Sequence, residues 1–186
     1  RMRRGEEDEA PEGIEFHADP GEGGAAGAVR LLAGTYWNEG EEPDRIRAAQ
    51  LGSSAWVVAR EAATGLVVGT ARAISDGARK AWIYDVAVDE SWRGGGVGKA
   101  LLRRLLDHPR IRGVRQVHLS TRDAQDFYRA FEFLAVPPGA GPGTTMVRQA
   151  IERLGGSVSS SAKSRRESGD ASSDDSSADR PAITRL

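Results

Sequence analysis

The sequence predicts an α/β protein with a mixed, mostly antiparallel central sheet and flanking helices. Two observations carry that prediction. Short apolar runs separated by turn residues recur between residues 13 and 88, the pattern of consecutive antiparallel strands. A glycine-rich stretch then leads into one strongly amphipathic helix and a further strand, the pattern of a β-α-β unit.

Taken in order, residues 13–18 (GIEFHA) read as a short strand, and residues 25–37 have helical spacing through Val29, Leu32 and Tyr36. Pro43 and Asp44 open a second short helix running to about Leu51, since proline suits a first helical turn. Residues 55–60 and 66–74 are strands joined by a turn at Ala63-Thr64-Gly65, and residues 81–88 form another after the turn at Asp76-Gly77. From Gly96 to Asp107, Val97, Leu101 and Leu105 share one helical face while Arg103 and Arg104 lie outside it, and Pro109 stops the helix. A strand over 114–120, a helix over 123–131 and a last strand over 144–149 complete the domain, which spans residues 14–150.

The ends read differently. Residues 1–13 are charged and punctuated by proline and glycine, and from residue 155 to 186 the chain is rich in serine and charge with no aromatic residue. Neither segment can bury enough apolar surface to offset its ordering entropy, so both are expected to be disordered tails. Lysine and arginine (26) almost balance aspartate and glutamate (27), giving a net charge of -1 and no overall attraction for nucleic acid or an anionic membrane. The absence of cysteine excludes disulfides, thiolate metal sites and a cysteine nucleophile, and the three histidines are not at metal-ligand spacing. No apolar run approaches the length of a membrane span, so the expectation is a soluble cytoplasmic protein without a metal.

The stretch from Tyr84 to Lys99 carries the chemistry. A strand passes into the basic, glycine-rich loop Arg93-Gly94-Gly95-Gly96 and then directly into a helix start at Val97-Gly98-Lys99. Glycines let backbone N–H groups approach a ligand closely, and a helix N-terminus adds positive potential, so this is a site for a phosphate or pyrophosphate. A P-loop is excluded, because Arg93 stands where its first glycine belongs and Ala100 supplies no hydroxyl for magnesium. Dinucleotide fingerprints starting at Gly94 or Gly96 fail at Lys99 and Leu101. What remains is Arg-x-x-Gly-x-Gly, spelled Arg93, Gly96 and Gly98.

That motif resembles the coenzyme A loop of the GNAT acetyltransferase superfamily. A second segment, Thr121-Arg122-Asp123-Ala124-Gln125-Asp126-Phe127-Tyr128, resembles the helix that reads Ala-x-x-Phe-Tyr in the same superfamily. The resemblance covers residues 14–149, is strongest over 80–133, and extends to a bacterial subgroup that names no acceptor. It implies acetyl-CoA as co-substrate, with the pyrophosphate on the glycine loop. It also implies a bulged strand, splayed from the next, whose backbone at Val86, Ala87 and Val88 meets the pantetheine arm. Tyr128 falls where a tyrosine protonates the leaving thiolate, and Phe127 reads as core. Thr121 stands where an asparagine often contacts pantetheine, and Glu132 replaces the glycine of the family's Gly-Phe pair.

The acceptor side rests on residue chemistry. Direct transfer needs a neutral amine, a group to take its proton and donors for the oxyanion, for which the N–H groups of Val86–Val88 are natural candidates. Asp85, a carboxylate in an apolar strand, is either a base or amine-binding group, or a satisfied structural carboxylate. Tyr36 and Trp37, followed by acidic residues, fall where the superfamily covers its acceptor pocket, although Trp37 reads more readily as core. Arg72 could hold an acidic acceptor, pair with Asp85, or be solvated. The expected function is N-acetylation of a small-molecule amine. The alternatives are acetylation of a protein lysine or N-terminus, or acyl-CoA binding without catalysis. A small acceptor implies a closed pocket near Tyr36 and Asp85, and a protein acceptor an open groove. A homodimer is compatible with either.

Overall fold

A computed structural model describes residues 11–137 and 143–150. Residues 1–10 and the whole of the expected C-terminal tail lie outside that range. All of the described residues fall within the unit Arg1–Glu152.

The strands are β1 (Ile14–Ala18), β2 (Ala55–Glu61), β3 (Val67–Ser75), β4 (Lys80–Val88), β5 (Gln116–Thr121), β6 (Leu134–Ala135) and β7 (Thr144–Gln149). The helices are α1 (Glu22–Leu32), α2 (Pro43–Leu51), α3 (Val97–Asp107) and α4 (Gln125–Arg129). They form one sheet in the order β1-β2-β3-β4-β5-β7-β6. Every neighbouring pair is antiparallel except β4 with β5, which is the expected β-α-β unit around α3. Among the described residues, no helix is long and apolar enough to cross a membrane.

Side-chain size explains how the layers close. Val97, Leu101 and Leu105 of α3 are buried as their spacing predicts, and Ala100, Leu102 and Leu106 join them. They rest on an inner sheet face of small residues, including Ala55, Val57, Ala59, Ala71 and Ala73. Gly69 belongs to that face, and a Cβ there would stand 2.7 Å from Leu101 Cδ1, so the helix can sit this close only over glycine. On the opposite face, Ala25 and Ala28 of α1 cover Trp56, Val58 and Val67.

Three elements differ from the sequence expectation. α1 ends at Leu32 rather than near residue 37, because the Thr35 hydroxyl donates to the Leu32 carbonyl at 2.7 Å and closes the last turn. Tyr36–Asn38 then forms a separate 3-10 turn. α4 is confined to Gln125–Arg129, since Thr121 Oγ1 accepts from the Ala124 N–H at 3.1 Å and holds residues 121–124 as a turn ahead of it. The third is β6, too short to give an alternating signal.

Candidate active site

The site begins with a break in strand pairing. β4 and β5 pair at Lys80 with Gln116, Ala81 with Val117 and Trp82 with His118, and then part. On its other edge β4 pairs Tyr84 with Arg72 and Ala87 with Thr70, so Asp85 and Val86 together face the single residue Ala71. This is a β-bulge, and Asp85 takes the left-handed region at φ 53 to make it. Aspartate tolerates that conformation better than most residues. The bulge thus begins one residue before the expected segment and turns the end of β4 away from β5.

Beyond the bulge the backbone has a free edge. Ala87 opposes Thr70, and the Asp89 N–H bonds the Val68 carbonyl at 2.8 Å. Alternation along an antiparallel ladder therefore turns the Val88 N–H and carbonyl away from β3, towards the gap left by β5. The carbonyl accepts from Arg93 Nε at 3.0 Å, leaving the N–H to the gap. Arg93 also reaches Glu90, at 3.2 Å. Gly94 and Gly96 are left-handed, at φ 80 and 87, and Gly96 stands at the N-cap of α3 with no side chain capping that helix. The Val97 side chain is core. A Cβ on Gly98 would meet Val88 and Phe127 at ordinary contact distances of 3.5 and 3.7 Å.

Two cavities meet at this strand end and a third runs along α3. One of about 350 Å³ lies between the diverging β4 and β5 and brings together Tyr36, Trp37, Asp85, Val86, Thr121 and Tyr128. A second of about 650 Å³ runs along Val86, Ala87, Val88 and Arg93, and shares Tyr36, Trp37, Val86 and Asp123 with the first. A third of about 580 Å³ lies at the start of α3 and is lined by Gly95, Gly96 and Lys99. Predicted residues from distant parts of the sequence therefore converge on one strand end.

Tyr128 is buried, 8% exposed, among Phe127, Phe133 and the α3 side chains. Its hydroxyl pKa is pushed up to about 12, chiefly by burial, with Tyr36 and Asp123 adding to the shift. It therefore remains a protonated donor throughout the neutral range. Thr121, also buried, spends its hydroxyl oxygen on the Ala124 N–H while lining the cavity. Glu132 takes the left-handed conformation that a glycine adopts freely, at φ 66, and Phe133 enters the core behind it.

Asp85 is a satisfied carboxylate, held by side chains rather than by a neighbouring strand's backbone. Oδ2 accepts from Arg72 Nε at 2.6 Å and Gln50 Nε2 at 3.0 Å, and Oδ1 accepts from Trp37 Nε1 at 3.1 Å. Of its alternatives, Arg72 thus takes that of Asp85 partner, and its guanidinium also lies 4.9 Å from the Tyr84 ring centre. Trp37 is 45% exposed and so is not core. It meets Tyr36 edge to face at 4.8 Å, and Arg122 covers the Tyr36 ring at 4.0 Å.

Sequence reasoning missed Gln50, Asp123 and the ring ledge formed by Trp82, Tyr84 and His118. Trp82 stacks on His118 at 5.1 Å and on Tyr84 at 6.4 Å. Alternation places Trp82 and Tyr84 on one strand face and could have paired them; nothing local marks Asp123 or Gln50. Among the described residues, no group of three or more His, Cys, Asp or Glu side chains could hold a metal.

Comparison with known proteins gives the family and the fold. Among curated relatives, GCN5-related N-acetyltransferase 1, chloroplastic, from Arabidopsis thaliana is 38% identical over 73 residues, covering 39% of this chain and 37% of the relative. Histone acetyltransferase TAP1 from Glycine max is 41% identical over 75 residues, covering 39% and 32%. The chain thus spans about a third of the length of these relatives. A Xanthomonas campestris pv. campestris structure described as belonging to the GNAT family is 28% identical with a TM-score of 0.57, covering 67% of this chain and 86% of that one. Aminoglycoside 6'-acetyltransferase type Ii shares the fold, with a TM-score of 0.61 at 20% identity, covering 75% and 98%. Residues 27–133, more than half of the sequence, match the acetyltransferase (GNAT) family, and the chain belongs to that family.

Proposed function

We propose that this chain transfers an acetyl group from acetyl-CoA directly to the amine of a small molecule. The observation that carries the reading is the gap between β4 and β5, with the free Val88 N–H on one side and the buried Tyr128 beside it. A backbone with an unpaired edge can pair with the amides of a pantetheine arm as a missing strand would. The left-handed glycines and uncapped start of α3 suit the pyrophosphate, with Arg93 and Lys99 supplying positive charge.

In this reading the amine nitrogen attacks the thioester carbonyl, whose oxygen gains charge beside backbone N–H groups of the bulged β4 end that are turned away from β3. The departing sulfur faces Tyr128. A phenol that holds its proton to about 12 is a weaker acid than a thiol of pKa about 8.5, so Tyr128 acts by donating a hydrogen bond to the thiolate. The proton lost from the attacking amine balances the one gained by sulfur. Asp85 fixes Trp37 over the acceptor cavity and keeps one lone pair of Oδ1 for a substrate N–H.

The cavity of about 350 Å³, walled by Tyr36 and Trp37, supports a small acceptor over an open peptide groove. The likeness to histone acetyltransferase TAP1 from Glycine max favours a second reading, a protein lysine acceptor. Release of free thiol from acetyl-CoA, measured with a panel of small amines and with lysine peptides, separates them. Turnover with small amines alone supports the first reading, and turnover with peptides alone would replace it by the second.

A further inference from the structure

Two carboxylates line the acceptor cavity, and they are in opposite states. Asp85 is engaged by Arg72, Gln50 and Trp37, and the guanidinium offsets its charge. No hydrogen bond or ion pair from a described residue engages Asp123, and its side chain is exposed. Asp123 also borders both cavities that share the β4 end, and it lies near enough to Tyr128 to act on its hydroxyl. It is the carboxylate whose charge is available where donor and acceptor must meet.

The rest of the cavity has a consistent chemistry. No lysine or arginine lines it. Trp82 and Tyr84 form a stacked ledge, continued by His118, and Tyr36 and Trp37 supply further aromatic wall. Of the nearby cations, Arg72 pairs with Asp85, Arg122 lies over the Tyr36 ring and Lys80 acts on His118 of the ledge. The cavity wall itself carries carboxylate charge and flat apolar surface and no cation, so it suits a cation on an apolar body better than a carboxylate.

We infer that the acceptor is a primary amine carried on a flat, apolar body without a carboxylate, and that Asp123 receives its ammonium group. The inference rests on the acetyl-transfer reading. The ammonium held by Asp123 gives one proton to solvent at the cavity mouth and the neutral nitrogen bonds to the carbonyl carbon. The carbon–sulfur bond breaks, and its electron pair leaves with coenzyme A. Sulfur gains one proton and the new amide nitrogen releases another, so the net products are acetamide, free thiol and one proton. The ledge at Trp82 and Tyr84 positions the body of the amine.

The test measures thiol release from acetyl-CoA by the full chain, with 2-phenylethylamine, ethylamine and phenylalanine as acceptors. The expected order of kcat/KM is 2-phenylethylamine first, with both ethylamine (no ring) and phenylalanine (added carboxylate) at least about tenfold lower. Asp123→Asn should raise KM for 2-phenylethylamine by about tenfold or more and lower kcat, with Asp123→Glu recovering part of both. Calorimetric Kd for acetyl-CoA should be unchanged in each variant, which also reports that the fold is intact. Trp82→Ala should remove the preference for 2-phenylethylamine over ethylamine. Phenylalanine used as well as 2-phenylethylamine, or an Asp123→Asn enzyme with unaltered KM and kcat, would overturn the inference while leaving acetyl transfer standing. Failure of every amine to release thiol from bound acetyl-CoA would overturn both.

Discussion

The two ends of the cleft are made of different material. At the proposed donor end the groups on offer are backbone amides, presented by left-handed glycines, an uncapped helix start and a strand edge freed by a bulge. At the acceptor end they are side chains gathered from the 36–37 turn, α2, β3, β4 and the turn before α4, tied by Asp85 and by ring stacking. A backbone site is sensitive to conformation and indifferent to most side chains. A side-chain site tolerates small conformational change and fails when one partner of a pair is removed. The same fold can therefore keep one donor while its acceptor is altered by substitutions that leave the chain trace intact.

Substitutions at each end should separate these behaviours. The largest effect belongs to Gly96→Asp, which places a side chain at φ 87 and a negative charge at the proposed pyrophosphate site. Calorimetry should show acetyl-CoA affinity falling by about 10²-fold or more with the circular dichroism unchanged. Unaltered affinity would remove the glycine loop from the donor site.

Tyr128→Phe should lower kcat by roughly 10²-fold while acetyl-CoA Kd stays constant, since the ring and its packing remain. The sign of the hydroxyl shift adds a pH expectation. A folded pKa of about 12, above the usual value near 10, keeps the donor protonated through the assay range. The pH–rate profile should therefore show no alkaline limb from Tyr128 below about pH 10. An equivalent limb in wild type that vanishes in the phenylalanine variant would contradict the burial argument.

Asp85→Asn sharpens the acceptor end. Asparagine also tolerates the left-handed bulge, so the main loss is the charge opposite Arg72, whose side chain is 12% exposed. Thermal melting should report a destabilisation of about 2 kcal/mol, and Arg72→Gln in the same background should recover part of it. A melting temperature equal to wild type, with turnover abolished, would make Asp85 chemical rather than structural. The smallest effect is Glu132→Gly. Relief of a left-handed non-glycine residue should stabilise by about 1 kcal/mol, less the loss of a 3.5 Å pair with Arg148. A lower melting temperature would show that the pair outweighs the strain.

The same division explains what could be read from the sequence. The donor end occupies one unbroken stretch, so strand, glycine spacing and the apolar face of α3 all lie within a short window, where local rules apply. Arg72 is legible as an Asp85 partner because the two lie near each other across a hairpin. Gln50 reaches Asp85 from α2, thirty-five residues away, and only the packed sheet creates that contact. Asp123 has no periodic signal, since its position depends on the turn that Thr121 Oγ1 closes by accepting from the Ala124 N–H. The shortness of α4 follows from the same turn, which spacing alone does not reveal. The bulge itself depends on the β3–β4 register, and that register exists only once both strands are paired.

The most direct test of the joined cleft is a crystal structure of the chain with acetyl-CoA. The account predicts pyrophosphate oxygens on the backbone of Gly94–Gly98, a pantetheine amide on the Val88 N–H, and the thioester sulfur within hydrogen-bond reach of the Tyr128 hydroxyl. Acetyl-CoA bound away from the gap between β4 and β5, or with its sulfur remote from Tyr128, would contradict it.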